Sequence, residues 1–206
     1  MNSCSTTTII IRTKAVLHFR CGDLISSNHP SFGFMKFGSY SRHLDQNVTS
    51  IGIVTQPFDD HGQAREYDGG ESKQAKCKKV VYALVDHLQE KFPAARVAIR
   101  NDANETIALT FARMVMAKQV VIGITSFGVF PGIATFGTSY IRKPDYDKAP
   151  NRWLLRPKVE EVLDNVKLVE EPRLMAMSCR RMWKEDGSAV LDWFRSYETQ
   201  PNSTAS

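Results

Sequence analysis

The chain has 206 residues, 42% of them hydrophobic, enough for one substantial core and too few for two full domains. Its net charge of +5 and pI near 9.0 suit an anionic ligand. The 27 basic and 22 acidic residues are spread along the chain, which gives no pointer to nucleic acid. No apolar stretch approaches the ~20 residues needed to cross a bilayer, and residues 1–11 lack a basic region and apolar core of signal-peptide type.

Cys4, Cys21, Cys77 and Cys179 lie far apart without C-x-x-C pairs, and are expected to be isolated thiols. Asn47-Val48-Thr49, Asn104-Glu105-Thr106 and Asn202-Ser203-Thr204 have the form of glycosylation acceptors, a slight pointer to a lumenal origin.

Residues 1–13 are expected to be disordered or a partial segment, residues 14–198 to form one domain, and residues 199–206 to be a disordered tail. Ala15 to Phe19 is an apolar run ending in a polar loop, the pattern of a buried strand. Residues 24–50 carry no sustained period and predict a long loop with a short helix. Ile51 to Thr55 predicts a second strand.

From Glu71 to Phe92, the apolar positions Cys77, Val80, Val81, Leu84 and Leu88 share one helical face. Lys73, Lys76 and Lys79 are expected on its solvated side. Arg96 to Arg100 predicts a third strand. Asp102 and Glu105 have capping-box spacing ahead of a helix that runs to Ala117. Val120 to Ile124 predicts a fourth strand, followed by Thr125, Ser126 and a helix in which Pro131 requires a late start or a bend. Ser139 to Ile141 is a candidate last strand. Lys158 to Val169 and Met182 to Tyr197 are expected to be terminal helices.

Alternating strands and helices predict an α/β domain with a doubly wound, mostly parallel, Rossmann-like sheet. Ligands in such sheets bind beyond the carboxyl ends of the strands. Three polar clusters fall there: His18 to Asp23, Asn101-Asp102 and Thr125-Ser126. A guanidinium at a strand end grips phosphate with two parallel bonds, and Asp23 is placed to hold Arg20. A surface Arg20–Asp23 pair beside a buried, hydrogen-bonded His18 explains the first cluster equally well. Ser126 reads either as a phosphate contact at a helix start or as an N-cap, and the two are compatible. The chain lacks G-x-G-x-x-G, G-x-x-x-x-G-K-[ST] and G-x-S-x-G, and Arg20-Cys21 has the wrong order for a phosphatase loop.

The segment His18-Phe19-Arg20-Cys21-Gly22-Asp23 resembles the H-x-R-R-G-D type motif of GDP-fucose-dependent fucosyltransferases. Residues 123–134, beginning Gly123-Ile124-Thr125-Ser126-Phe127, resemble that family's later S-T-F-S-F-W-x-A type motif. The resemblance covers residues 14–145. It implies the donor-binding C-terminal half of a B-type (GT-B) glycosyltransferase, working in the Golgi or secretory lumen without a metal. The donor would be a GDP-sugar and the acceptor a glycan or glycoprotein.

Carried onto this chain, the resemblance implies that Arg20 contacts the pyrophosphate and stabilises departing GDP. His18 would line the donor pocket. Thr125, Ser126 and the Phe127 amide would bind phosphate oxygens, and Asp102 would meet the nucleoside, with Asp23 supporting Arg20. Cys21 stands where many members carry a second Arg. In the family this motif follows an N-terminal domain, so such a domain is an expected partner. A binding module that keeps the donor fold without turnover is the alternative reading.

Overall fold

The computed structural model describes residues 14–25, 27–28, 32–58, 72–123, 125–143 and 163–196. Its main sheet is six-stranded and entirely parallel: β1 (Ala15–His18), β3 (Ser50–Val54), β4 (Arg96–Arg100), β5 (Gln119–Ile122), β6 (Thr138–Arg142) and β7 (Val166–Val169). The spatial order is β4-β3-β1-β5-β6-β7. Counting only these strands in chain order gives 3-2-1-4-5-6, a Rossmann-like arrangement in which the direction of winding reverses between β1 and β5. A separate antiparallel pair joins β2 (Gly33–Met35) to β8 (Arg173–Met175).

The central strands β1 and β5 are buried on both faces, which is why they read as continuous apolar runs. Alternation divides the core. Ala15, Leu17, Ile51, Ile53 and Val121 join one cluster, and Val16, Val54, Val120 and Ile122 join the other. The first cluster is covered by α2 (Lys73–Lys91), which buries Cys77, Val80, Val81, Leu84 and Leu88 along the face expected from their spacing. Each large aliphatic side chain so buried contributes about 1.5–3 kcal/mol of transfer free energy. The second cluster is covered by α3 (Ile107–Val115) and α4 (Ser126–Ile133), which pack on each other.

On the α2 side, α1 (Phe37–Ser41), α5 (Ala176–Glu185) and α6 (Gly187–Arg195) complete the layer. Phe194 of α6 is fully buried and stacks on Phe37 with ring centroids 5.0 Å apart. It also meets Phe34 and Phe19, and Phe19 in turn meets Tyr40. This aromatic cluster supports the chain as it leaves β1.

Several expectations change. Val166–Val169 is a strand paired with β6, not helix: Val166 is buried and Lys167 exposed, a period of two that four residues cannot distinguish from a helical turn. Residues 158–162 of that expected helix lie outside the described residues, as do residues 1–13, 199–206 and the third acceptor sequence.

The last helical stretch is two helices, α5 beginning at Ala176 and α6 at Gly187. Asp186 ends the first and caps the second through Ser188 N at 2.8 Å. Residues 24–50 also hold β2 in addition to the short helix α1. Lys76 is buried rather than solvated. Pro131 lies inside α4, which nonetheless starts at Ser126 and not late.

Candidate functional site at the switch point

The carboxyl ends of β1 and β5 are neighbours, with His18 paired to Ile122 and the Gly123 amide donating to the His18 carbonyl at 3.2 Å. A Cβ on Gly123 would come within 2.4 Å of the Tyr40 hydroxyl and 3.3 Å of that same backbone carbonyl, so the two strand ends close up only around a glycine. This is the point where winding reverses, and open α/β sheets bind ligands there.

Beyond β1 the chain turns tightly, with the Leu24 and Ile25 amides donating to the Cys21 carbonyl at 2.7 and 3.1 Å. The turn brings Arg20 and Asp23 together as a fork. Arg20 Nε donates to Asp23 Oδ1 at 3.0 Å, and Arg20 Nη2 pairs with Asp23 Oδ2. The guanidinium also lies 5.1 Å from the Phe32 ring centroid. Arg20 keeps part of its side chain in solvent and Asp23 about half, so the fork faces outward.

The same turn is anchored from below. Cys21 and Cys77 form a disulfide with Cα atoms 5.6 Å apart, tying the Arg20 loop to α2. This overturns the expectation of isolated thiols: neither residue has a nearby cysteine in sequence, and only the packing of α2 beneath β1 brings them together. Cys179 is a free, buried thiol as expected, and Cys4 lies outside the described residues. The disulfide is consistent with a secretory or lumenal protein. No helix among the described residues is long and apolar enough to cross a membrane.

Across the switch point, α4 begins. Its N-cap is Thr125, whose hydroxyl oxygen accepts from the Phe127 amide at 3.2 Å. Thr125 therefore takes the capping role considered for Ser126, and the Phe127 amide is already engaged. Ser126 is the first helical residue.

The His18 ring is buried, 5.4 Å from the Phe127 ring, and a Cβ on Gly128 would lie 2.9 Å from its Nδ1. Burial, and then the Arg20 charge, push its pKa down to about 4, so the ring is neutral near pH 7. Its Nδ1 has no hydrogen-bond partner among the described residues. His18 thus sits under α4, while Phe19 and Cys21 point into the opposite core cluster, the division that strand alternation predicts.

Asp102 follows β4, two strands from β1. It is exposed, its Oδ1 accepting from the Asn104 amide at 2.9 Å and its carbonyl accepting from the Glu105 amide. The capping box does not form. Glu105 instead pairs with Arg113 at 2.7 Å, and Thr106 caps α3 by accepting from the Leu109 amide.

The fold therefore puts Arg20 and Asp23 in the loop after β1 and Thr125 and Phe127 at the start of α4 after the neighbouring β5, places His18 under α4, and sets Asp102 beyond β4, roughly 10 Å to the side at the usual strand spacing. Sequence reasoning missed the disulfide. No spacing in the sequence signals it. The chain matches no family model, no curated protein and no solved structure.

Proposed function

We propose that this domain binds a nucleotide sugar of the GDP-fucose type and, as one half of a B-type glycosyltransferase, passes the sugar to a glycan or protein acceptor. The observation that carries the reading is the Arg20 guanidinium, held by Asp23 at the carboxyl end of β1 beside the switch point of a 3-2-1-4-5-6 sheet. α4 starts just beyond β5, the strand that neighbours β1. A fixed cation there offers a diphosphate two parallel hydrogen bonds. It also stabilises the negative charge that grows on the phosphate as the sugar leaves. The two motifs resembling those of fucosyltransferases fall on these two loops. Work in the Golgi lumen, without a metal, is part of the same proposal, and the Cys21–Cys77 disulfide suits that compartment.

One observation favours a donor-binding module without turnover. His18 is buried under α4 and held neutral, so its ring is not presented to an acceptor hydroxyl. Calorimetric titration with GDP, GDP-fucose and UDP-sugars tests the shared premise. GDP is expected to bind, and Arg20→Ala to weaken it about 10- to 100-fold, the loss typical of a charge-assisted pair. No GDP binding at millimolar ligand would sink both readings. GDP binding without transfer of labelled fucose to any offered acceptor would select the module.

A further inference from the structure

Two of the three acceptor sequences fall on described turns, and their surroundings differ. Asn47, Val48 and Thr49 lead into β3. Val48 is buried in the cluster that α2 covers, while Asn47 and Thr49 on either side of it are exposed. The turn is held through its backbone. The Asn47 amide donates to Asp45 Oδ1 at 2.9 Å, the Val48 amide to the Asp45 carbonyl at 3.0 Å, and the Arg96 amide to the Thr49 carbonyl at 3.0 Å. The Asn47 carboxamide and the Thr49 hydroxyl make no hydrogen bond to another described residue. Both side-chain groups that asparagine-linked oligosaccharide transfer requires are therefore open, on a turn fixed without them.

Asn104 is exposed as well, but the rest of its acceptor sequence is engaged. The Thr106 hydroxyl caps α3 by accepting from the Leu109 amide at 3.2 Å. Glu105 pairs with Arg113 at 2.7 Å and accepts from the Thr110 hydroxyl at 3.4 Å. These contacts are local in sequence, so they close early, while the chain is still folding. Drawing this segment into a transferring enzyme would undo the first turn of α3.

We propose that Asn47 is an N-glycosylation site of this chain and that Asn104 is left unmodified. The co-reactant is an oligosaccharide carried on a lipid diphosphate. Asn47 Nδ2 forms a bond to the sugar C1, the C1–O bond to the diphosphate breaks with its electron pair leaving on the diphosphate, and one amide proton passes to a base of the transferring enzyme. The inference shares with the function proposed above only the lumenal compartment, which the Cys21–Cys77 disulfide suits. Asn47 lies at the amino end of the sheet. The five residues of β3 separate it from the carboxyl end by about 17 Å, so a glycan there leaves the switch point clear.

The test is expression of the full chain behind a cleavable secretion leader in a eukaryotic host, with Asn202→Gln throughout so that only the two described acceptors remain. Secreted and cell-associated chains that carry the Cys21–Cys77 bond are pooled, treated with an amidase that releases N-glycans and converts the bearing Asn to Asp, and mapped by peptide mass. The parent should show one glycosidase-sensitive step in gel mobility and conversion at Asn47. Asn47→Gln and Thr49→Ala should each abolish the step, while Thr49→Ser and Asn104→Gln should keep it. Thr49→Ala serves should Asn47→Gln misfold, since it removes the required hydroxyl and leaves the asparagine in place. A disulfide-bonded chain with no glycan overturns the proposal. So does a glycan on Asn104, alone or together with one on Asn47, because it shows that the capping contacts of α3 do not protect that segment. None of these outcomes touches GDP binding, which the titrations above decide separately.

Discussion

The Arg20–Asp23 fork and the cluster of Arg42, His43 and Glu171 are built from the same kinds of group and sit in opposite surroundings. Glu171 is fully buried, and its Oε1 lies 2.7 Å from both Arg42 Nε and His43 Nε2, while Oε2 has no partner among the described residues. His43 stacks on Tyr140 with centroids 4.7 Å apart, and Arg142 Nε donates to the Glu171 carbonyl at 3.0 Å. This cluster joins the turn after α1 to the link between β7 and β8. Asp23, by contrast, is half in water and ties together only a four-residue turn. Unpairing a buried carboxylate is strongly destabilising, whereas an exposed pair contributes little to stability and stays available to a ligand. Burial, not residue type, separates the pair that holds the fold from the pair left open to solvent.

The largest expected effect removes what makes the exposed fork rigid despite its exposure. Breaking the Cys21–Cys77 bond, which spans a sequence separation of 56, should cost about 4 kcal/mol by loop-closure entropy. Reduction, or Cys77→Ser, should lower the urea midpoint accordingly and weaken GDP binding in step, because the Arg20 turn loses its anchor. An unchanged midpoint after reduction, with the free thiols verified by alkylation, would show that packing alone holds this turn.

Next in size is the buried cluster. Glu171→Gln should destabilise by about 3 kcal/mol, since it leaves Arg42 and His43 facing a neutral amide in a buried site. GDP affinity should be unchanged wherever the variant is folded. Chemical denaturation at constant m-value reads the first, and titration at low temperature reads the second. Loss of GDP binding in a fully folded Glu171→Gln protein would collapse the distinction between the two regions.

How much of this was legible in sequence depended on how local each signal was. The face of α2 could be read from five apolar positions at helical spacing, and the strands β1, β3, β4 and β5 from apolar runs bounded by turn residues. The short, half-polar β7 could not, because its pairing with β6 decides its conformation. The two caps were misplaced by one to four residues: Thr125 and Thr106 hold the roles expected of Ser126 and Asp102. Adjacent hydroxyl and carboxylate residues compete for a cap on geometry that composition does not reveal. The disulfide arises only from tertiary contact, and no spacing rule announces it.

A pH effect follows from His18, beneath the exposed fork. Its folded pKa of about 4 lies below the ordinary 6.5, so the unfolded chain takes up the proton first as pH falls. The neutral, buried ring therefore contributes fully above pH 6.5, and the contribution is lost progressively between 6.5 and about 4. The loss is on the order of 3 kcal/mol. Urea midpoints measured at pH 7.5 and 4.5 for wild type and His18→Phe isolate the residue, the variant being expected to lose much of the slope. Equal slopes would mean that the imidazole reaches water.

The smallest stability effect is expected at the fork itself, where Asp23→Asn removes the charge of an exposed partner and keeps its shape. Stability should change by less than about 1 kcal/mol, as for other solvent-exposed ion pairs. Ligand binding is where the substitution should register, and two influences oppose each other there. Asp23 orients the guanidinium, which favours the diphosphate; its negative charge also competes with the phosphates for the same N–H groups. Because Arg20 is additionally steered by the Phe32 ring and its turn by the disulfide, orientation survives in part without the carboxylate, and relief of the competing charge outweighs what is lost in orientation. Asp23→Asn should then hold GDP as tightly as wild type or up to about threefold more tightly, with a weaker dependence on salt. A tenfold loss of affinity in a protein of wild-type stability would reverse that balance and make Asp23 the element that sets the Arg20 geometry.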